Sequence, residues 1–326
     1  CLTYCGIHVL TLLFMSDKNI LDALLQQLPG HCVLTRPEEL RPYECDGLSA
    51  YRQLPMVVVI ADTVEQVQDT LRLCAEHQVP VVARGSGTGL SGGALPLENG
   101  VLLSMAKFNR ILDVDVHNRV ARVQPGVTNL SISNTVAEHG LYYAPDPSSQ
   151  IACSIGGNVA ENAGGVHCLK YGLTTHNIQA LKVLTIDGEQ LTIGGASLDS
   201  PGYDLLALLT GSEGLLAIIT EITVKLLPSP EIAQVVMAAF DSVDAAGAGV
   251  TAVIASGIIP AGLELLDKPA IDAVEKFIHT GYPQDAAAIL LCELDGTQAD
   301  VTAQIKRVNQ VFRDAGAIDQ QVSRDE

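Results

Sequence analysis

A glycine-rich segment, Arg84–Gly93, is the part of this sequence best suited to binding chemistry. It reads R-G-S-G-T-G-L-S-G-G. Glycine lets a ligand approach the backbone closely, and successive N–H groups in such a loop can converge on one anion. The spacing Gly87-x-Gly89-x-x-Gly92 also matches the fingerprint that places the diphosphate of a nicotinamide dinucleotide at the start of a helix. The residues that follow have no helical face, however, and Pro96 would interrupt a helix. We therefore predict a loop between strands that holds a dinucleotide diphosphate; the alternative is a simple tight connection.

A second glycine cluster covers Ser154–Gly165 and reads S-I-G-G-N-V-A-E-N-A-G-G. Ordering so many glycines costs backbone entropy, which implies that something approaches the backbone closely. Asn158 and Asn162 are four residues apart and are predicted to share one face of a helical turn. Such a face would suit the edge of a flat heteroaromatic ring that carries N–H and C=O groups. Close packing of the chain against itself is the alternative.

Histidine and cysteine could serve as metal ligands or catalysts, and the chain has eight of each. No two cysteines have C-x-x-C spacing and no Cys/His group matches a zinc or iron–sulfur pattern. We therefore predict no metal site, and free thiols in a reducing compartment. His167 lies two residues after the end of the second glycine cluster, which makes it the candidate catalytic residue within the chain. Tyr171 is a second candidate close by.

The composition excludes several classes of protein. The formal net charge of -18 repels nucleic-acid backbones and anionic lipid surfaces, so a bound diphosphate must rely on local donors. Aromatic residues make up 4% of the chain and Trp is absent, which disfavours the stacking platforms of single-strand binding proteins. The apolar stretch Val9–Phe14 is shorter than the roughly 20 residues that cross a bilayer. We predict no nucleic-acid partner and no transmembrane segment.

The elements that must position these residues follow from hydrophobic periodicity. Thr63 and Gln66 have the spacing of a capping box, and the helix after them is predicted to bury Val67 and Leu71. Other helices are predicted over 129–138 and 203–209. Strands are predicted over 57–60, 80–83, 101–104, 111–116, 120–124, 181–186, 190–193 and 215–227.

The character of the sequence changes at Pro228-Ser229-Pro230, where we predict a domain boundary. The segment beyond it is rich in alanine and predicts an α+β domain with helices over 243–255, 269–279 and 301–315. One strand is predicted over 288–293, and we expect its apolar face to be exposed. At the other end, Met15 resembles a natural start, so residues 1–14 are expected not to be native. We also expect the chain to be truncated at Glu326.

Five motifs occur in a fixed order along the chain. They are V-V-A-R-G-S-G-T-G-L-S-G-G (81–93), P-G-V (125–127), P-D-P-S-S (145–149), I-G-G-N-V-A-E-N-A-G-G (155–165) and G-S-E-G (211–214). With them the chain resembles the PCMH-type FAD-binding proteins of the vanillyl-alcohol oxidase/p-cresol methylhydroxylase superfamily. Together with Y-E-C-D-G-L-S-A-Y (43–51), they are most similar to the bacterial glycolate oxidase FAD subunits, akin to D-lactate dehydrogenases.

The resemblance implies an α+β fold with a two-subdomain PCMH-type FAD-binding domain over 51–228. An N-terminal extension and helical segment would cover 1–50, and a truncated α+β substrate (cap) domain would cover 229–326. Some relatives attach FAD to a histidine in the first glycine loop. Thr88 stands at the corresponding place here, which implies a non-covalent flavin.

The resemblance also implies which residues bind FAD. Those of the first loop would wrap the diphosphate: Arg84, Gly85, Ser86, Gly87, Thr88, Gly89, Leu90, Ser91 and Gly92. The flavin and ribityl side would be lined by Pro145, Asp146, Ser148 and Ser149. The isoalloxazine would contact Gly156, Gly157, Asn158, Asn162, Gly164 and Gly165. The adenosine end would contact Glu213 and Gly214, and further contacts are implied for Pro125, Gly126, Ser154 and Glu161.

The implied activity is oxidation of a small 2-hydroxy acid, glycolate or D-lactate, by hydride transfer to flavin N5. Electrons would pass to a quinone or to an iron–sulfur and/or second flavin-domain subunit. The implied location is cytoplasmic, with peripheral attachment to the inner membrane through partners. In relatives the base and a divalent-metal site lie in H-x-G-D-G-N-x-H and E-H-G motifs, which this sequence lacks, so the catalytic residues are expected beyond residue 326. Two alternatives remain open: a catalytically incomplete FAD-binding subunit or fragment, and a UDP-sugar enolpyruvyl reductase-like flavoenzyme.

Overall fold

The computed structural model describes residues 20–195 and 202–323. The predictions for residues 1–14 and for Met15 therefore lie outside the described residues. The chain divides into two compact units. Unit 1 comprises Cys1–Tyr143, Pro147–Ala163 and Leu173–Leu227, and unit 2 comprises Ala144–Asp146, Gly164–Gly172 and Pro228–Glu326.

Helices and strands are numbered in chain order. The helices are residues 20–27 (α1), Pro37–Leu40 (α2), Val64–Glu76 (α3), Asn129–Val136 (α4), Ile155–Glu161 (α5), Cys168–Tyr171 (α6), Leu205–Leu209 (α7), Val243–Ala255 (α8), Lys268–Phe277 (α9) and Gln298–Asp314 (α10). The first strands are Val33–Leu34 (β1), Val57–Ile60 (β2), Val81–Arg84 (β3), Val101–Ser104 (β4), Ile111–Asp115 (β5), Val120–Val123 (β6), Leu141–Tyr142 (β7) and Ile178–Leu184 (β8). The remaining strands are Gln190–Gly194 (β9), Ile218–Lys225 (β10), Leu227–Pro228 (β11), Ile232–Phe240 (β12), Gly262–Asp267 (β13), Ala288–Gly296 (β14) and Asp319–Val322 (β15).

The first sheet of unit 1 has the strand order β1-β2-β4-β3. Strands β2, β4 and β3 are parallel, and Val57 and Val81 both pair with Val101. Continuous apolar runs such as Val57–Ile60 are typical of strands covered on both faces. In this sheet Val57, Val59, Val101 and Leu103 pack with α1 and α3. Because β3 ends at Arg84, the first glycine loop begins at the carboxyl end of a parallel strand.

The cap of α3 is only half of the predicted capping box. The Thr63 side chain accepts a hydrogen bond from the backbone N–H of Gln66, as expected for an N-cap. The side-chain oxygen of Gln66, however, accepts from the backbone N–H of Asp62 at 2.7 Å.

The second sheet of unit 1 is antiparallel, with the order β5-β6-β10-β8-β9. The strands predicted over 181–186 and 190–193 are observed as β8 and β9, which pair as a hairpin across a turn in which Gly188 has φ +74°. Helices α4 and α5 cover one face of this sheet, where Ile132, Ile155 and Val159 are fully buried. The helix predicted over 129–138 ends at Val136 and continues as a 3-10 turn that stops at left-handed Gly140.

Unit 2 contains an antiparallel sheet of order β13-β14-β12-β15. Helices α8 and α10 cover one face, and α9 packs on the other. The expected exposed apolar face over residues 288–292 is therefore wrong, because β14 is an inner strand and Ala288, Ile289, Leu290 and Cys292 are fully buried. Helices α8, α10 and α9 cover its two faces. The strands β12 and β13, which the sequence pattern did not predict, pair with its two edges.

Within residues 20–195 and 202–323, no helix combines the length and the apolar character needed to cross a bilayer. The six cysteines in these ranges are free thiols, while Cys1 and Cys5 lie outside them. Burial raises the pKa of both Cys74 and Cys292 to about 12.

Candidate functional site

An open cleft lies in unit 1, beyond the carboxyl end of β3, with an empty volume of about 980 Å³. This volume includes space that is open to solvent. Its lining residues are Ala83, Arg84, Gly85, Ser86, Gly87, Thr88, Gly89, Gly93, Ala94, Met105, Pro125, Pro147, Ser149, Cys153, Ser154, Gly156, Gly157, Asn158, Ala160, Glu161, Ala163, Glu213, Gly214, Ala217, Ile218 and Ile219.

The two glycine motifs meet at Ser154. Its Oγ accepts a hydrogen bond from the backbone N–H of Ser86 at 3.2 Å, although the two residues are 68 positions apart. A Cβ on Gly85 would overlap this buried hydroxyl, so glycine is required there by packing. Gly87 is required by its backbone, because it has φ +69°. The alternative of close chain packing therefore accounts for some of the glycines.

Gly89 has neither of these reasons to be glycine. Its φ is not positive, and a Cβ built on it would have no neighbour within 4 Å. The residue nevertheless lines the cleft. Open space above the backbone at this point is what a ligand held by loop N–H groups requires, so Gly89 favours a binding loop over a simple tight connection.

Within residues 20–195 and 202–323, three charged residues line the cleft: Arg84, Glu161 and Glu213. Arg84 lies with its guanidinium carbon 5.7 Å from the centre of the Tyr43 ring. Burial lowers the pKa of Arg84, and the nearby Asp46 carboxyl opposes that shift. With one cation against two carboxylates, an anion in the cleft must depend mainly on backbone N–H donors.

The second glycine motif forms the short helix α5 and its cap. Gly156 packs against Pro125, and a Cβ added to Gly156 would lie 2.5 Å from the Cβ of Pro125. The Asn158 side chain lines the cleft and is held from behind, since its Oδ1 accepts from Asn129 Nδ2 at 2.9 Å and its Nδ2 donates to Cys153 Sγ at 3.3 Å. This buried network fixes the orientation of the Asn158 amide.

The prediction that Asn158 and Asn162 share a helical face is wrong. Helix α5 ends at Glu161, and Asn162 caps it in the left-handed conformation with φ 49°. The Asn162 Oδ1 then accepts a hydrogen bond from the backbone N–H of Thr175 at 3.0 Å. Asparagine adopts this conformation more readily than most residues, so it ends the helix where the sequence pattern would have continued it.

The G-S-E-G motif is attached to α5 by backbone hydrogen bonds. The N–H groups of Gly211 and Glu213 donate to the carbonyl oxygens of Val159 and Ala160, both at 2.8 Å. Glu213 has φ 54° and Gly214 has φ +74°, so this turn is tightly specified. The first glycine loop is also attached to α5, because Ser91 Oγ donates a hydrogen bond to Glu161 Oε2 at 3.0 Å.

The structure brings most of the sequence-predicted cofactor residues together, but not all. The cleft of unit 1 is lined by Arg84, Gly85, Ser86, Gly87, Thr88, Gly89, Pro125, Ser149, Ser154, Gly156, Gly157, Asn158, Glu161, Glu213 and Gly214. Unit 1 also holds six predicted residues that do not line it: Leu90, Ser91, Gly92, Gly126, Ser148 and Asn162. The other four, Pro145, Asp146, Gly164 and Gly165, belong to unit 2.

Sequence reasoning missed the apolar side of the cleft. Met105, Cys153 and the segment 217–219 line it, and none was predicted as a site residue. Ile218 begins β10, inside the strand predicted over 215–227, whereas Met105 only follows the strand predicted over 101–104. Neither position carries a local sequence signal for a ligand. Which end of a strand faces a ligand depends on how the strands assemble.

His167, the candidate catalytic residue, lies in unit 2 with both ring nitrogens engaged. Nδ1 is 2.7 Å from Asp146 Oδ2, and Nε2 is 3.2 Å from Glu293 Oε1. The hydrogen bonds to Asp146 and then Glu293 raise the pKa of His167 to about 10. Because a general base needs a free nitrogen and a pKa near neutrality, this histidine is poorly suited to that role. Tyr171, the other candidate, donates its hydroxyl hydrogen bond to Asp295.

A second polar cluster in unit 1 was not found from the sequence. His31 Nε2 and Cys32 Sγ lie 2.7 Å and 3.2 Å from Asp62 Oδ2. Lys107 Nζ contacts the other oxygen of the same carboxylate at 2.6 Å. A lysine ammonium on the shared carboxylate already provides the positive charge that a metal ion would bring, so we assign no metal to these residues.

Comparisons with known proteins agree with this geometry. Residues 55–194 match the family described as FAD binding domain, and residues 229–326 match FAD linked oxidases, C-terminal domain. The chain is 62% identical over 308 residues to Glycolate oxidase subunit GlcD of Escherichia coli (strain K12), covering 94% of this chain and 62% of the relative. It is 40% identical to the protein of the same name from Bacillus subtilis, covering 87% and 61%, and 35% identical to D-lactate dehydrogenase of Anaerostipes hadrus, covering 88% and 62%.

Solved structures show the same fold. Alkyldihydroxyacetonephosphate synthase superposes with a TM-score of 0.79 at 18% identity, covering 95% of this chain and 61% of that one. p-Cresol methylhydroxylase superposes with a TM-score of 0.76 at 22% identity, covering 94% and 66%. The predicted α+β, PCMH-type fold is confirmed. The chain spans about three fifths of the length of the curated relatives described above.

Proposed function

The chain belongs to the FAD-linked oxidases and has FAD as its cofactor, and from that premise we propose that the cleft of unit 1 holds FAD with its diphosphate on the first glycine loop. Gly89 carries this proposal, because the space over its backbone is open and neither packing nor φ explains the residue. The loop contains no histidine between Arg84 and Gly93, which agrees with a flavin that is not covalently attached to it.

The proposed contacts follow the lining of the cleft. Backbone N–H groups over 85–89 face the diphosphate, and Glu213 with Gly214 borders the adenosine end. Gly156, Gly157 and Asn158 border the isoalloxazine. When bound, FAD supplies a hydride acceptor, while the protein positions the cofactor and excludes water. The apolar segment 217–219 and Met105 exclude water from the cleft. We place the FAD-binding domain at 51–228 and the substrate domain at 229–326.

We further propose that the full-length protein oxidises a small 2-hydroxy acid, with glycolate and D-lactate as the candidates. The names of the 62% and 35% identical relatives support this substrate class. Among the described residues that line the cleft, Arg84 carries the one positive charge, and we reserve it for the cofactor. Because His167 has both nitrogens occupied, we do not assign it as the base that would take the hydroxyl proton.

We also propose a partner subunit that accepts the electrons. The 62% identical relative is named as a subunit, which supports an assembly of more than one chain. An iron–sulfur protein or a second flavin subunit has the chemistry to take electrons from a reduced flavin. Attachment to a membrane would then be made by the partners.

The test is anaerobic mixing of the FAD-loaded protein with glycolate, D-lactate or L-lactate while the visible band of oxidised flavin is followed. Both the present chain and the full-length protein are used. Bleaching of the full-length protein by glycolate or D-lactate supports the proposal. A band that is stable to all three acids but bleached by NADPH would replace it with a nucleotide-sugar reductase. FAD binding by the present chain without bleaching by any reagent would identify it as a binding part only.

A further inference from the structure

Two short segments of the FAD-binding sequence match are built into unit 2. They are Ala144–Asp146 and Gly164–Gly172, and both lie inside the matched range 55–194. Each is covalently continuous with a residue that lines the cleft of unit 1: Asp146 is followed by Pro147, and Ala163 is followed by Gly164. Each segment is thus one peptide bond away from a residue that lines the cleft.

The His167 ring joins both segments to strand β14. Its Nδ1 contacts Asp146 of the first segment at 2.7 Å, and its Nε2 contacts Glu293 of β14 at 3.2 Å. The backbone N–H of His167 also donates to Asp146 Oδ1 at 3.3 Å. An imidazole can donate from both nitrogens only when it is protonated, so the arrangement calls for an imidazolium between two carboxylates.

A second ionic group repeats the attachment one helical turn later. Lys170 Nζ and the Tyr171 hydroxyl both donate to the carboxylate of Asp295, two positions after Glu293 on β14. Lys170 also donates to the Asp295 carbonyl oxygen at 3.0 Å. Asp295 is only 6% exposed, so its charge depends on these partners.

Two glycines make room for the attachment. A Cβ on Gly262 of β13 would approach the Val166 side chain to 2.7 Å, and one on Gly165 would overlap the backbone of Asp146. The two segments are thus packed closely on each other and on the sheet, in addition to being joined by charge.

We propose that His167 and Glu293 are positioning residues for FAD. The imidazolium joins both segments to β14 by hydrogen bonds, and it thereby restrains their chain neighbours Pro147 and Ala163, which line the cleft. The inference rests on the proposed placement of FAD in unit 1. It deepens that proposal by making cofactor affinity depend on charges of the second unit.

The role has a pH signature. The pKa of His167 is raised to about 10 from an ordinary value of 6.5. The hydrogen bonds from the imidazolium to the two carboxylates are therefore fully present below pH 6.5 and are lost as the pH rises through about 10. Removing one carboxylate lowers that pKa, so the loss moves to lower pH. Asp146 and Glu293 are the carboxylates in contact with the ring. The other titratable groups on the packed elements are Cys168, Lys170 and Tyr171 of its own helix, Asp295 of β14, and the exposed Glu264 and Asp267 of β13.

The experiment measures the Kd for FAD by flavin fluorescence in the wild type, His167→Gln and Glu293→Gln, from pH 6.5 to above pH 10. Asp285→Asn is the matched control, since it removes one exposed carboxylate from the same unit. We expect both cluster variants to bind FAD at least about fivefold more weakly at neutral pH, the lower end for coupled sites. The control should bind as the wild type does. In Glu293→Gln the alkaline loss of affinity should begin at lower pH than in the wild type.

Several outcomes would overturn the inference. Folded variants with an unchanged Kd and an unchanged pH profile would show that the cluster does not act on the cofactor. Glu293→Gln keeps an oxygen that accepts from Nε2–H, so it should fold even where His167→Gln does not. If circular dichroism shows that neither variant folds, the cluster is structural only. A wild-type chain that binds no FAD would instead refute the proposed function, and this inference with it.

Discussion

Replacement of Gly89 by alanine should weaken the binding of FAD without lowering the stability of the folded apoprotein. The structure predicts no steric cost in the free protein, because the added Cβ has no neighbour within 4 Å and φ is not positive. Loss of chain entropy in the unfolded state should even raise the free energy of unfolding by about 0.4–1 kcal/mol. Folding of the apoprotein should therefore be unchanged or slightly improved.

The effect on FAD should be large and opposite. A methyl group at this position occupies the space proposed for the diphosphate and prevents the phosphate oxygens from reaching the loop N–H groups. One lost hydrogen bond to a charged group costs about 1.5–3 kcal/mol. At about 1.4 kcal/mol for each tenfold change, Kd should rise roughly 10- to 100-fold.

Two other glycines provide the controls for this measurement. Gly30 also has open space where a Cβ would stand, and it lies outside the cleft. Gly30→Ala should therefore give the same small gain in stability and leave the affinity for FAD unchanged. Gly85→Ala should lower stability by about 1–3 kcal/mol, because its methyl group overlaps the buried Ser154 hydroxyl and disturbs the hydrogen bond from Ser86.

The assay is urea unfolding of each apoprotein, followed by titration with FAD. Gly89→Ala that binds FAD as tightly as the wild type would refute the placement of the diphosphate over this residue. Gly89→Ala that unfolds easily would show instead that the loop packs against protein atoms. Either result would remove the main support for the proposed site.

Three further predictions concern stability and the flavin linkage. Phe312→Ala should lower the unfolding free energy of unit 2 by about 3–5 kcal/mol in urea, because the ring is fully buried and packs edge-on against Phe240 at 6.1 Å; a loss below about 1 kcal/mol would contradict the packing. The hydrogen bond from Lys107, and then that from His31, hold the pKa of Asp62 well below its usual value, so its contribution to stability is present above pH 3.8 and is lost as the pH falls through the lowered pKa. The urea midpoints of the wild type and Asp62→Asn should therefore differ at neutral pH and converge in acid, and a constant difference would argue against the ion pair. Acid precipitation of the FAD-loaded protein should leave the yellow colour in the supernatant, whereas a yellow pellet would show a covalent flavin.

The cofactor class was accessible from the sequence because its requirements are local. A diphosphate loop needs small residues and free N–H groups in one short stretch, and Arg84–Gly93 supplies both. Continuous apolar runs such as Val57–Ile60 and Val101–Ser104 likewise predicted buried strands, since covering both faces of a parallel sheet leaves no position for alternation. The helix over Val243–Ala255 was predicted with its observed bounds from its own periodicity.

Tertiary structure decided the features that depend on residues distant in the chain. Asn162 departs from its predicted helical face because a left-handed cap lets it bond Thr175. Gly85 is explained by Ser154, and Met105 reaches the cleft only because of how β4 lies in its sheet. His167 is the strongest case. The sequence marked it as a candidate catalytic residue from its place beside a glycine cluster, but its charge is held first by Asp146, 21 positions away, and then by Glu293, 126 positions away. No local pattern encodes such a pair, because a carboxylate acts on an imidazole through a few ångströms of space regardless of the length of chain between them.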